Sequence, residues 1–448
     1  MSYFHSVTLD REKCKGCTNC IKRCPTEAIR VREGKAHILE ERCIDCGECI
    51  RICPNQAKVA VTDRLEQRAE FRHNVVLVAP SFLGQFGRDV DPDRILEGFA
   101  PLGFDGVEEV ALGAEHVAAA IRRHCRQFPA PRPLLSSACP AVVRLTQVRF
   151  PSLVDQIIPL HTPMDAAAVL ARRAAHDRTG LSDDQIGVWF ITPCPAKMTA
   201  IRQPVGLARS EITGAFSMTD IYGAILPVLP RSGVQAGHRR ASALGIGWGI
   251  AGGENEAIGD GALLAVDGIH NVIAVLEEVV RDRLRDIDYL ELQACVGGCV
   301  GGPLAPENPF LAKRNLHALT RRLARTSPES GEHRVSADVL EGRLTMREAV
   351  APRPILQLDE DPAIAILKAE QLERVVQQLP GLDCGSCGSP HCRSLAEDIV
   401  RGVAFETDCV FKLREQVHSL AKEMLELAQK LPPSMGHGQA GKGEGGTR

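Results

Sequence analysis

The sequence predicts an α/β protein, a core of parallel sheets with a small cysteine-stapled module at each end. Three observations predict it. Residues 75–344 alternate short apolar runs with amphipathic segments, as parallel strands joined by helices do. Residues 1–62 are too few for a large apolar core, yet they hold eight cysteines in tight groups. Residues 355–409 end in a second dense cysteine group.

The first module reads C-x2-C-x2-C-x3-C-P twice. Cys14, Cys17 and Cys20 precede Cys24-Pro25, and Cys43, Cys46 and Cys49 precede Cys53-Pro54. In such runs the fourth cysteine ligates the other cluster, which predicts one 4Fe-4S cluster on Cys14, Cys17, Cys20 and Cys53 and another on Cys43, Cys46, Cys49 and Cys24. A disulfide framework is the alternative, but compact C-x2-C triplets suit a metal cube better than paired loops. The charged stretch DRLEQRAEFRHN (63–74) is the expected connector.

Within the core, VVLVAPSF (75–82), PLLSSACP (133–140), IGVWFITPCP (186–195), SALGIGW (242–248) and YLELQACVGG (289–298) are the strand-like runs. Cys139, Cys194, Cys295 and Cys299 all follow such runs. Ligands of an open parallel sheet bind beyond the carboxyl ends of its strands, so these thiolates can converge on one buried cluster. Four unrelated buried thiols are the alternative. Cys125 is read as an ordinary buried thiol, and ARTSPESGEHR (324–334) as a surface loop.

The third unit is predicted to open with a helix over 362–378. Its cysteines, Cys384, Cys387, Cys392 and Cys409, are spaced C-x2-C-x4-C-x16-C, which suits a 4Fe-4S cluster or a zinc ion. Over 410–431, Val410, Leu413, Val417, Leu420, Met424, Leu427 and Leu431 alternate spacings of three and four, a heptad seam suited to a homodimer or a signalling partner; a helix packed on its own domain is the alternative. Residues 432–448 are low-complexity and expected to be disordered.

Bulk properties exclude several classes. A net charge of −3 and a pI of about 6.5 give no basic field for nucleic acid or an anionic membrane. No apolar run reaches membrane-spanning length, and the N-terminus lacks the features of an export signal. Many thiols without such a signal imply a cytoplasmic protein with oxygen-sensitive metal sites.

At the core cysteines the sequence resembles a known family. SSACP (136–140), TPCPAK (192–197) and ACVGGCVGG (294–302) look like the three signature motifs of the iron–iron hydrogenase catalytic domain. VAPS (78–81) resembles that family's active-site segment, and GWGIAGGENEA (247–257) its glycine-rich stretch. The family commonly carries the same N-terminal dicluster module, so the resemblance spans about residues 1–310. It implies a ferredoxin-type module, a two-lobed core, and a 4Fe-4S cube on Cys139, Cys194, Cys295 and Cys299. It further implies that Cys299 bridges to a two-iron subcluster bearing carbon monoxide and cyanide, with Lys197, Ser81 and the Pro80 backbone holding the cyanides. Hydrogen, a redox partner such as ferredoxin, and the hydrogenase maturases are the partners it implies.

The departures fall on proton handling. Ala138 stands where the family has a second cysteine, and Ala200 where it has a glutamate; these normally carry protons to the site. Gln293 replaces a methionine, Thr192 another, and GGPL (301–304) replaces a Gly-Gln-Pro ending. Alanine cannot transfer a proton. The pattern resembles the family's sensory branch, which also carries a small C-terminal 4Fe-4S domain, and implies a slow hydrogen or redox sensor. The chain as given ends soon after the heptad run, so signalling would need a partner or a dimer rearrangement. Two alternatives stay open: an active hydrogenase, an oxidoreductase with another proton route through His116, His124, His161 or water, and an electron-transfer or cluster-assembly protein without the two-iron subcluster.

Overall fold

In the computed structural model, residues 3–127, 132–229, 239–326 and 344–430 are described. The chain divides into two units, residues 1–357 and 358–448.

The first 60 residues fold around a 29-residue repeat. Strands β1 (Val7–Leu9), β2 (Ile29–Arg32), β3 (Lys35–Ile38) and β4 (Lys58–Ala60) form two antiparallel ribbons, β1 with β4 and β2 with β3. Gly16, Thr18 and Glu27 have left-handed backbone, as do Asp45, Gly47 and Gln56, each 29 residues later. Only glycine adopts that conformation freely, so the non-glycine residues are held there by what surrounds them. The same geometry lets the Ala28 N–H donate to Cys24 Sγ and the Ala57 N–H to Cys53 Sγ, both at 3.2 Å.

Two parallel sheets follow, built from β5 (His73–Val78), β6 (Gly106–Glu109), β7 (Leu134–Leu135), β8 (Ile186–Thr192), β9 (Gly214–Ser217), β10 (Leu263–Asp267) and β11 (Tyr289–Gln293). One has the order β6-β5-β8-β9 and the other β10-β11-β7. All residues of β5 and β8 are buried, which is why residues 75–78 and most of β8 read as near-continuous apolar runs rather than alternating ones. Aromatic packing reinforces the larger sheet, where Trp189 stacks on Phe216 at 4.9 Å and its Nε1 donates to Asn74.

SALGIGW departs from expectation. Ala243–Gly247 is a short buried helix, capped by Ser242, whose hydroxyl accepts from the Gly245 N–H. A brief apolar run without periodicity fits a buried helix as well as a strand, and the cap decides it. The connector 63–74 is only partly irregular: Leu65–Glu70 form a 3-10 turn, and His73 and Asn74 belong to β5. Of the loop at 324–334, residues 324–326 end the helix Pro309–Thr326 and the others lie outside the described residues, as do Leu431 and the tail. Cys125 is half-buried on the helix Val110–Gln127.

In the second unit the helix Pro362–Gln378 starts on Asp361, whose carboxylate accepts from the Ala363 N–H. Its Leu372, Val375 and Leu379 pack with Leu395, Ala396, Ala404 and Cys409. The helix Val410–Ala428 adds nothing to that core; Val410, Leu413, Val417, Leu420, Met424 and Leu427 stay exposed along its length. Among the described residues no helix is long and apolar enough to cross a membrane.

Candidate metal centre and its pocket

The N-terminal cysteines gather in two sets. One small cavity is lined by Cys14, Cys17, Cys20 and Cys53, the other by Cys24, Cys43, Cys46 and Cys49. The sets differ in environment. Cys17 is exposed, and although burial opposes it, the N–H groups of Ala57, Lys58 and Asn55 draw the Cys53 thiol below its usual range. Cys46 and Cys43 lie deep, and burial drives both thiols well above that range. Cys17 is thus the exposed member of the first set, whose Cys14 and Cys20 are buried, while the second set packs toward the core. Ile44 and Cys46 pack in the same apolar cluster as Cys139, Cys194 and Ala196 of the core.

The core cysteines stand at element ends. Cys139 caps the helix Pro140–Arg149 and Cys194 caps Pro195–Arg202, each with proline in the first turn. Thiolates there face the positive end of the helix dipole. Cys295 follows β11, and Cys299 begins a 3-10 turn. Gly298, at φ +94°, turns the chain between them, and a Cβ there would lie 2.5 Å from the Ala251 nitrogen.

Lys197 is buried one turn into its helix, and its Nζ lies 3.6 Å from Cys299 Sγ. Burial alone would discharge it, but Cys299 first, then Cys194, Cys139 and Cys295, hold its pKa above the ordinary lysine range. The thiols resist ionising in turn: burial foremost, then neighbouring cysteines, push Cys295 up to about 12 and Cys194 to about 11 despite the opposing pull of Arg51 and Lys197. Buried thiols like Cys194 and Cys295, gathered with Cys139 and Cys299, call for a cationic metal core that would let them bind as thiolates.

Beside Cys299 lies a cavity of about 60 Å³ lined by Pro80, Ser81, Ala138, Lys197, Trp248 and Gln293, among others. Ser81 Oγ, Trp248 Nε1 and Gln293 Oε1 are buried there without hydrogen-bond partners. Unpaired buried polar atoms cost stability unless a ligand satisfies them. Ser81 follows Pro80 in the short helix Pro80–Leu83, which starts at the end of β5. The donor set fits an anionic ligand group: an ammonium, a hydroxyl and an indole N–H in a dry pocket.

Behind this pocket is a buried acid network. Ser136 Oγ donates to Glu254 at 2.9 Å, Tyr289 OH donates to it at 2.6 Å, and the Ala138 N–H donates to Ser136 Oγ at 3.1 Å. Glu291 accepts from the N–H groups of Gly252 and Asn255 and from Gln293 Nε2. Burial and then the Glu291 charge raise the Glu254 pKa to about 8. Sequence reasoning missed Glu254 and Glu291. The available signal was an acid within GGENEA and another beside Gln293.

Ala200 lines a different cavity, with Ser137, His161 and Asp165, separated from the first by Thr162 and Met164. Thr162 Oγ1 donates to Asp165 at 2.6 Å, and burial lowers the His161 pKa against the pull of Asp165. His116 and His124 lie on the helix Val110–Gln127, away from the pocket wall.

In the second unit Cys387 and Cys392 pack against the core containing Cys409, while Cys384 is exposed. Cys409 caps the helix Val410–Ala428, and the Cys392 N–H donates to Asp383 at 2.7 Å. Among the described residues, no three cysteine sulfurs lie mutually within 4.8 Å.

Comparison with known proteins follows these divisions. Residues 72–210 match the iron only hydrogenase large subunit, C-terminal domain; residues 6–54 match a 4Fe-4S dicluster domain; and residues 379–411 match an iron–sulfur cluster family. Cys295 and Cys299 lie beyond the first of these. Iron hydrogenase 1 of Clostridium pasteurianum is 26% identical over 230 residues, which is 44% of this chain and 40% of that protein's length. Two structures of variants of FeFe-hydrogenase HydA1 from Chlamydomonas reinhardtii align with TM-scores of 0.45 and 0.47 at 15% and 16% identity. They cover 65% and 64% of this chain and 98% of each of theirs.

Proposed function

The chain belongs to the iron–iron hydrogenase-like family of iron–sulfur proteins, and from that premise we propose that it is a slow hydrogen or redox sensor of the cytoplasm. One observation carries this reading. The pocket keeps the groups that would hold the two-iron subcluster, while Ala138 lines it where a proton carrier is expected.

In this reading Cys139, Cys194, Cys295 and Cys299 would hold a 4Fe-4S cube, and Cys299, which lines the pocket, would also hold the two-iron subcluster. When bound, that subcluster supplies the chemistry of splitting or forming dihydrogen. The Lys197 ammonium and the Ser81 hydroxyl would donate to its anionic ligands and orient it, and the mostly apolar cavity would strengthen both bonds. The orphaned Ser81 Oγ supports this assignment. The N-terminal sets carry two further cubes, and Cys384, Cys387, Cys392 and Cys409 a fourth.

Proton movement is where this chain is slow. With Glu254 near pH 8, the Glu254/Glu291 network holds a proton at neutral pH. Its approach to the pocket ends on the Gln293 amide and the Ala138 backbone N–H. Neither group releases a proton as an acid near neutrality, so the store is present but poorly connected. Slow turnover leaves occupancy and redox state as the property a partner reads.

The test is infrared spectroscopy of protein produced with the iron–iron hydrogenase maturases and purified without oxygen. Carbonyl and cyanide absorption that shifts under hydrogen is expected. Silence in that region, with cubes present by iron count and spin resonance, would sink the reading and leave an electron-transfer or assembly protein.

A further inference from the structure

Several cations bridge the N-terminal module and the core, Arg149 to the Pro25 carbonyl among them, and one of them lies beside cluster cysteines on both sides. Arg51 ends the helix Glu48–Arg51, directly after the inward-facing cysteines Cys46 and Cys49. Its Nη1 donates to Glu48 Oε2 at 2.7 Å, and its Nη2 donates to the Gly301 carbonyl, 250 residues away, also at 2.7 Å. The guanidinium also reaches Cys295 Sγ and lies close to Cys46. Beside it Gly47, at φ +75°, abuts Pro303: a Cβ on Gly47 would lie 2.5 Å from the proline ring. Pro303 belongs to the shortened GGPL ending, so the feature that departs from the family pattern is the one pressed against the module.

Resting on the reading that Cys139, Cys194, Cys295 and Cys299 hold a cube, we infer that Arg51 is a positioning residue for electron transfer between the inward N-terminal cluster and the core, and that it raises the core cube's reduction potential. The step is a one-electron exchange. The cube on Cys24, Cys43, Cys46 and Cys49 is oxidised from the 1+ to the 2+ state, and the core cube is reduced from 2+ to 1+. No proton or bond is involved, and a low-potential one-electron donor reloads the first cube.

The sign follows from charge. A fixed cation beside a thiolate ligand favours the more negative, reduced cube, and hydrogen bonds to cluster sulfurs act in the same direction. About 36% of the Arg51 side chain is accessible, so solvent screens its distant effects; its place beside Cys295 first, and Cys46 after it, sets which cubes feel it. Lys197 treats Cys299 similarly from the opposite side. The two cysteines of the third motif thus each have a cation, one facing the electron supply and the other the pocket.

The experiment is a redox titration of the full chain with its clusters loaded, followed by spin resonance, comparing wild type, Arg51→Gln and Arg51→Lys. It needs no maturation, because the readout is the cube alone. In R51Q the core cube's midpoint is expected to fall most, the inward cube's to fall less through Cys46, and the outer and C-terminal cubes to keep theirs; R51K is expected to recover most of the difference. A core cube that titrates unchanged in R51Q, or all cubes moving together, would overturn the assignment. Should R51Q fail to retain its clusters, R51K decides: a core-cube midpoint below wild type supports the role, and identity with wild type overturns it. A wild-type protein showing only N- and C-terminal cubes would overturn the four-cysteine reading itself, a result distinct from any change confined to the variants.

Discussion

The two sides of the pocket have been treated differently. On one side Pro80, Ser81, Lys197 and Cys299 present donors and a thiol, with Lys197 Nζ 3.6 Å from Cys299 Sγ. On the other, Ala138 and Gln293 present a methyl group and an amide oxygen, and Glu254 and Glu291 are tied up behind them by Ser136, Tyr289 and backbone N–H groups. The first side can bind and polarise; the second can store a proton but hands it on poorly. On the proposed reading, binding and turnover are separable, because Pro80, Ser81, Lys197 and Cys299 would serve the first and the wall of Ala138 and Gln293 would limit the second.

The comparison is broken most completely by removing the binding side. Lys197→Met takes away a buried charge that four thiols stabilise. Carbonyl and cyanide absorption of the matured protein is expected to drop to background while the cubes persist by iron count; full absorption in K197M would show that the ammonium does not hold the subcluster. The other side is tested by adding what it lacks. Ala138→Cys puts a titratable thiol on the pocket wall, and general acid–base groups typically supply about 10²–10⁴-fold. Hydrogen uptake with an artificial acceptor is expected to rise by about 10²-fold or more; an unchanged rate in fully matured A138C would mean that proton delivery does not limit the enzyme.

How much of this was legible depended on range. In the N-terminal module each cysteine spacing is local and repeats after 29 residues, so even the exchange of Cys24 and Cys53 between the two sets could be read from the sequence. The core cysteines were singled out because each follows a strand-like run, although β8, before Cys194, lies in one sheet and β7 and β11, before Cys139 and Cys295, lie in the other. What stayed hidden was pairing across long separations. Glu254 meets Ser136 across 118 residues and Arg51 meets Gly301 across 250, and nothing in the local pattern links either pair. SALGIGW was misread because its cap, Ser242, acts through a single hydrogen bond. The left-handed Asp45 and Thr18 were invisible for a related reason: their neighbours impose the conformation, and the residue type does not announce it.

The smallest expected effect concerns the buried acids. Burial, followed by the charge of Glu291, raises the Glu254 pKa from an ordinary 4.5 to about 8. The folded state therefore binds a proton that the unfolded chain has released across that window. The sign follows: the stabilisation is complete below about 4.5 and is lost as pH rises toward 8, at up to ~1.4 kcal/mol per pH unit for one proton. Glu254→Gln keeps an oxygen to accept from Ser136 and Tyr289, and removes the charge that Glu291 repels. Thermal melts of cluster-loaded protein between pH 5 and 8.5 are expected to slope downward for wild type and to be flatter for E254Q, with the variant gaining most at the alkaline end. Parallel slopes would place the stored proton elsewhere. If the slopes diverge while hydrogen uptake stays slow in both proteins, the acids hold a proton that the pocket does not use. If E254Q alone loses the residual uptake, the same network is the weak path that turnover has left.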